Sequence, residues 1–402
     1  MAGSSDSKSR ISNILGPEDL LMNRALYAHN VHTAWWQGPN KPEQFGFLII
    51  PENQVRPFTI ITPDGEKLYA WHTLPLSIYI KNEDALVQES ASSREDPESS
   101  VAFKLLVKDP ESRLIINFHG NAGTVAQGWR TDTYRALTSG LVDKLHVVAV
   151  DYRGFGYSTG SPDEKGLIID GVATVKWALN VAKIPPEKIV LLGQSLGTAV
   201  ATAVAEHFVV EEGLEFRGVV LVAGFSDLPT LLTTYAIGGI IPILSPLRPY
   251  PRLQQFFAKS IQETWFSATR LVNLVRKSKN INLRIIHAQN DFEILWTHSN
   301  TLFSAAANAT STGDQGLTQK QIDALKIHQD LGESGFTNSW ITVQEDGGRK
   351  SIKQDVVRHG GMFVSTIVLR QELNNCVGHN RLVTYPVVAK AIANIFQGED
   401  SN

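Results

Sequence analysis

A serine hydroxyl becomes a nucleophile only when a neighbouring base takes its proton and a third group orients that base. Two pentapeptides of this chain set a serine between glycines in the pattern GxSxG: "GYSTG" (Gly156 to Gly160) and "GQSLG" (Gly193 to Gly197). That pattern marks a nucleophile elbow, where a strand turns sharply into a helix and presents the serine above the sheet. The flanking residues must be small, because strand and helix approach closely there. Context separates the two matches. Before Ser195 runs "KIVLLGQ", a strand former, and after it "LGTAVATAVAEHF", a helix apolar on all sides and so suited to burial against a sheet. Ser158 is parted from its preceding strand by "YRGFG". After it, "GSPDEKG" offers Ser161 as a helix N-cap, Pro162 at the first helical position and Glu164 as the partner in a capping box. Ser195 is therefore the candidate nucleophile, and Ser158 reads as part of a glycine-rich turn.

In the fold that carries this elbow, the acid and then the histidine follow the serine in chain order. Asp291 is the candidate acid, a few residues past the apolar run "LRIIH"; Glu293 is close by, and Asp227, after the preceding strand, is the main rival. An aspartate at a strand end is otherwise a common turn former. The histidines that remain are His298, His328, His359 and His379. His379, in "NNCVGHNRLV", is the one placed after the last strand and before the last helix, at the same sheet edge as the other two residues, and is the candidate base. The oxygen that becomes negative during acyl transfer needs two backbone N–H donors. Leu196, next after the nucleophile, supplies one; the loop "NFHGNAG" supplies the other from Asn121, with Ala122 as the near alternative.

Those residues need a sheet to hold them. From about Phe58 onward, short apolar runs alternate with longer helical patterns, which predicts a mostly parallel sheet with crossover helices. "FTIITPDGEKLYAWHTL" reads as an opening hairpin. "LIINF", "VVAV", "IVLL", "VVLVA", "LRIIH" and "FVSTIVL" follow, giving about eight strands in an α/β fold. Residues 82–100 are polar and read as a loop, 308–360 read as a polar, glycine-rich insertion, and 1–54 read as an N-terminal extension. Residues 227–280 fall between two strands of the core (55–226 and 281–397) and read as a helical cap, in which "RLQQFFAKSIQETWFSATRLVNLV" has helical periodicity.

Composition narrows the function classes. With Lys+Arg 37 against Asp+Glu 40 the net charge is -3, which gives no electrostatic reason to expect nucleic acid. One cysteine, Cys376, allows no internal disulfide and no cysteine-based zinc site, and fits a reducing compartment. No metal-ligand cluster or phosphate-binding glycine loop stands out, so no cofactor is expected. The longest apolar run, "AIGGIIPIL", is far short of the roughly 20 residues that cross a bilayer, so the expectation is an intracellular protein, cytoplasmic or peripheral to endomembranes.

Taken together, "HGNAG", "DYRGFGYS", "GQSLG", "HAQNDFEI" and "GHN" resemble the α/β-hydrolase superfamily. More narrowly, they are similar to the branch with monoacylglycerol and lysophosphatidylserine lipases and the bud-emergence-type hydrolases of fungi. The resemblance covers about residues 55–397 and implies an α/β-hydrolase fold, Ser195 as nucleophile, Asp291 as acid, His379 as base, and Asn121 with Leu196 as oxyanion hole. It also implies that "DYRGFGYS" is a loop beside the site. The chain departs from the family at Leu295, where a proline is frequent, and in showing no N-terminal spanning helix like that of membrane-bound relatives. The expected activity is cleavage of a carboxylic ester, lipid-like in the manner of a monoacylglycerol or lysophospholipid, through an acyl-enzyme. A thioesterase or amidase with the same triad, and a noncatalytic scaffold, are the alternatives. The segment 236–257 carries an apolar run with Tyr250, Phe256, Phe257, Arg248 and Arg252, composed like a surface that meets a membrane peripherally.

Overall fold

A computed structural model of the chain describes residues 27–29, 42, 53–89, 97–140, 142–237, 241–242, 250, 263–310, 335–345, 348–359, 361–372 and 378–398. Its strands are β1 (Val55–Ile61), β2 (Lys67–Thr73), β3 (Arg113–Phe118), β4 (Leu145–Val150), β5 (Ile189–Gln194), β6 (Gly218–Val222), β7 (Asn282–Ala288), β8 (Gly335–Glu345), β9 (Gly348–His359) and β10 (Met362–Glu372). They form one sheet in the order β1-β2-β4-β3-β5-β6-β7-β10-β9-β8. The middle, from β4 to β10, is parallel, while β1 and β2 at one side and β9 and β8 at the other are antiparallel.

The parallel strands bury both faces, so apolar residues occupy successive positions in them rather than alternating with polar ones. In β3, Leu114, Ile116 and Phe118 enter one core while Ile115 enters the other; in β5, Ile189 and Leu191 oppose Val190 and Leu192. The first face is covered by α4 (Glu164–Asn180), α5 (Leu196–His207), α7 (Ser267–Lys277) and α8 (Thr297–Ala309). The second is covered by α3 (Trp129–Thr138) and α10 (Pro386–Gln397). The remaining helices named here are α1 (Leu76–Val87), α2 (Val101–Val107), α6 (Leu228–Thr234) and the one-turn α9 (Gly378–Arg381).

Each of the eight expected strands is present, and the sheet has two more. β8 and β9 arise within 335–359, where composition pointed to a polar insertion; they pair antiparallel, from Gly335 with Arg358 to Glu345 with Gly348. Residues 82–87, expected in a loop, continue α1. The first helix after Ser158 is capped by Asp163, whose side chain accepts from Gly166 N–H, and not by Ser161. Glu164 closes no capping box. Its carboxylate accepts from the N–H groups of Thr264 and Trp265 (2.8 and 2.9 Å) and pairs with Arg270 (3.2 Å). Of the segment 236–257, only 236–237, 241–242 and 250 are among the described residues, so its membrane-facing reading lies largely outside them. Past it, α7 lies on the sheet with Leu271, Leu274 and Val275 in the core. Among the described residues no helix is long and apolar enough to cross a membrane.

Candidate active site

The sheet delivers the chemistry-bearing residues at the carboxyl ends of β3, β5, β7 and β10, the edge where open α/β sheets gather their sites. β5 runs straight into α5, and the residue between them is Ser195, at φ 52° and ψ -121°. A side chain in that region is strained, and the surroundings must enforce it. They do so through two glycines. A Cβ on Gly193 would lie 2.3 Å from Gly197 O, and one on Gly197 would lie 2.0 Å from Phe118 O, so neither position admits a side chain. Ser195 N–H donates to Val222 O at 2.9 Å, which ties the turn to β6.

Three residues expected to act together meet here. Ser195 Oγ lies 2.8 Å from His379 Nε2, and His379 Nδ1 lies 2.7 Å from Asp291 Oδ2. His379 is 6% exposed and Asp291 2%. The other oxygen of Asp291 accepts from the N–H groups of Glu293 and Ile294 at 3.0 and 2.9 Å. Gln194, beside Ser195, donates from Nε2 to His379 O and Asn380 O, fastening the histidine loop to the elbow. Burial acts to raise the pKa of Asp291, but the charge of His379 and hydrogen bonds from His287 and His379 outweigh it and hold the carboxyl well below the usual range. Burial likewise disfavours a charged His379, and Asp291 outweighs it, so the imidazole pKa stands above its ordinary value.

Asp227, the rival acid, caps α6 by accepting from Thr230 N–H at 2.7 Å, and its other oxygen accepts from the Ser226 hydroxyl. Glu293 accepts from Asn380 Nδ2 at 3.3 Å. Leu196 is the first residue of α5, a position whose N–H has no acceptor within its own helix. Asn121 and Ala122 lie in the loop after β3 and line the same cavity as Ser195. Ser158 is fixed elsewhere: its hydroxyl donates to Asp151 O (2.6 Å) and accepts from Tyr69 N–H (2.9 Å), joining its loop to β2.

His287 escaped the sequence reading. Its Nε2 lies 3.2 Å from Asp291 Oδ2 and 3.0 Å from Ile294 O, and its Nδ1 lies 2.6 Å from Ser299 Oγ, so it braces Asp291. A histidine four residues before the acid was the available signal. The cavity in front of Ser195 holds about 250 Å³, with apolar walls from Phe225, Leu228, Leu231, Leu232, Trp265 and Ile294. Among the described residues no cluster of side chains is arranged to hold a metal.

A family model described as alpha/beta hydrolase fold matches residues 113–265, the stretch from β3 through the elbow to Trp265. The chain has the α/β-hydrolase fold. The chain is 26% identical over 264 residues to lysophosphatidylserine lipase ABHD12 of Gallus gallus, across 65% of this chain and 60% of that protein. It is 28% identical over 252 residues to protein ABHD12B of Homo sapiens, across 63% and 62%. The chain thus spans about three fifths of the length of these relatives. An α/β hydrolase structure from Vibrio vulnificus aligns over 73% of this chain and 83% of its own, with 16% identity and a TM-score of 0.47.

Proposed function

We propose that this α/β hydrolase cleaves carboxylic esters of lipid-like substrates through an acyl-enzyme. The observation that carries the reading is the unbroken chain Ser195 Oγ, His379 Nε2, His379 Nδ1, Asp291 Oδ2, with links of 2.8 and 2.7 Å, opening on an apolar cavity. His379 takes the proton of Ser195 as Oγ attacks the ester carbon, and the N–H groups of Asn121 and Leu196 receive the oxygen that becomes negative. The proton then passes from His379 to the departing alkoxide. Water, deprotonated by His379, releases the acid and restores Ser195.

The leucine-rich wall from α6 suits an acyl chain, and several relatives are named lysophosphatidylserine lipases, which supports a monoacylglycerol or lysophospholipid substrate. In this reading residues 227–280 leave the core as a cap and rejoin it through α7, the run 236–257 meets the lipid surface, and the single cysteine fits an intracellular enzyme.

Hydrolysis of monoacylglycerols, lysophospholipids, short p-nitrophenyl esters and thioesters by the wild type and by Ser195→Ala tests the proposal. Long-chain esters are expected to turn over fastest, and a fluorophosphonate probe is expected to label the wild type only. Equal labelling of Ser195→Ala, or no Ser195-dependent turnover of any ester, would overturn it.

A further inference from the structure

The loop that faces Ser195 is held from behind by one buried cation. Arg130, on α3, is 4% exposed. Its Nη1 donates to Thr124 O at 2.5 Å, and its Nη2 to Gly120 O, Asn121 O and Ala122 O at 3.0, 3.3 and 2.7 Å. Carbonyls of adjacent residues alternate in a strand and run along the axis in a helix, so three in a row aimed at one group need an unusual backbone. It is present: Ala122 has φ 62° and Gly123 φ 68°. Successive N–H groups in such a turn form an anion-binding concavity.

A peptide unit is planar and trans, so its carbonyl and its N–H point in opposite directions. Gathering the carbonyls of Gly120, Asn121 and Ala122 on Arg130 therefore turns the following N–H groups, beginning with that of Asn121, away from the guanidinium. The loop borders the nucleophile there, since a Cβ on Gly120 would lie 3.2 Å from Ser195 Cβ and 3.8 Å from its Oγ. Gly120 O is held a second time by His119 Nδ1 at 2.6 Å. Ala122 N–H donates to Asn121 Oδ1 at 2.9 Å, which holds the Asn121 side chain against the loop.

We propose that Arg130 is the positioning residue of the oxyanion hole: its guanidinium fixes the carbonyls of Gly120, Asn121 and Ala122 behind the loop and so aims Asn121 N–H at the ester oxygen. The inference rests on the ester-hydrolase reading. It requires a planar fork that serves several acceptors at once, which lysine lacks.

The test is kcat and KM for Arg130→Met and Arg130→Lys, normalised to sites titrated with a fluorophosphonate so that only folded enzyme is counted. Loss of one oxyanion donor lowers kcat by about 10²–10³-fold, so Arg130→Met is expected to lose about 10²-fold and Arg130→Lys about 10-fold, with KM changed by less than about 3-fold. Inhibition by an alkyl boronic acid, which binds Ser195 as a tetrahedral anion, weakens in step with kcat/KM, while binding of the product carboxylic acid does not change. A kcat within about 2-fold of wild type in either folded variant, a loss confined to KM, or unchanged boronate affinity overturns the inference. So does an Arg130→Lys protein that is unfolded at the assay temperature, since the residue would then be a requirement of the fold. Wild-type enzyme without Ser195-dependent turnover sinks the hydrolase reading itself, whereas active wild type with unaffected Arg130 variants sinks this inference alone.

Discussion

Ser195 occupies its strained position because Gly193 and Gly197 leave the elbow no other way to pack, and His379 reaches it because Gln194 holds the histidine loop down. Ser195→Ala is expected to lower turnover by at least about 10³-fold, whereas Ser158→Ala keeps most of it and costs about 1–2 kcal/mol of stability, since its hydroxyl only fastens a loop. Comparable losses in both variants would refute that division. Turnover needs His379 neutral, and Asp291 raises its pKa above the ordinary 6.5 despite burial; kcat/KM therefore falls as pH drops through a midpoint above 6.5. Asp291→Asn removes that charge, so the midpoint moves down while kcat falls by about 10³–10⁴-fold; a pH–rate profile that does not move would contradict the pairing. The meeting of Ser195, Asp291 and His379 was legible because each sits in a recognisable context: an elbow, a strand end, and the loop before the last helix. His287 and Arg130 were not, because a residue that grips carbonyls or braces another side chain leaves no pattern in its own neighbourhood.

Among the elements, the buried strands declared themselves through short apolar runs without strict alternation, which is what burial on both faces favours. β8 and β9 did not, because an antiparallel pair at the side of a sheet can carry polar residues where a buried parallel strand cannot. β2 and β4 carry a titratable pair between them: His72 Nε2 lies 2.9 Å from His146 Nδ1, with the rings stacked and both residues buried. Burial pushes His72 down to about 4 and His146 well below 6.5. A depressed pKa contributes stability that is whole above 6.5 and lost as pH falls toward 4, where the unfolded chain binds protons that the folded one refuses. The melting temperature is expected to drop across that window, and the His72→Phe, His146→Leu pair is expected to lessen the drop. An unchanged slope in a folded double variant would place the acid sensitivity elsewhere.

For the whole molecule, a residue from the stretch read as an N-terminal extension completes the cavity in front of Ser195. Tyr27 is buried, hydrogen-bonds Glu263, accepts from Trp265 Nε1 at 3.2 Å, and lines the cavity with Leu231 and Leu232. Tyr27→Ala is expected to cost about 3–5 kcal/mol and to raise KM for long-chain esters more than for short ones, measured by thermal unfolding and a chain-length series. Equal KM changes across the series would remove Tyr27 from the acyl path. No sequence pattern joins Tyr27 to Glu263, because their separation of 236 residues is bridged only in three dimensions. The same separation sets a timetable. On the ribosome Tyr27 emerges early and waits for Trp265, while Ser195 waits for His379, 184 residues later. Contacts this distant in sequence close late, so a nascent chain can carry Ser195 and its flanking glycines long before Trp265 and His379 exist to complete the cavity and the hydrogen-bonded chain.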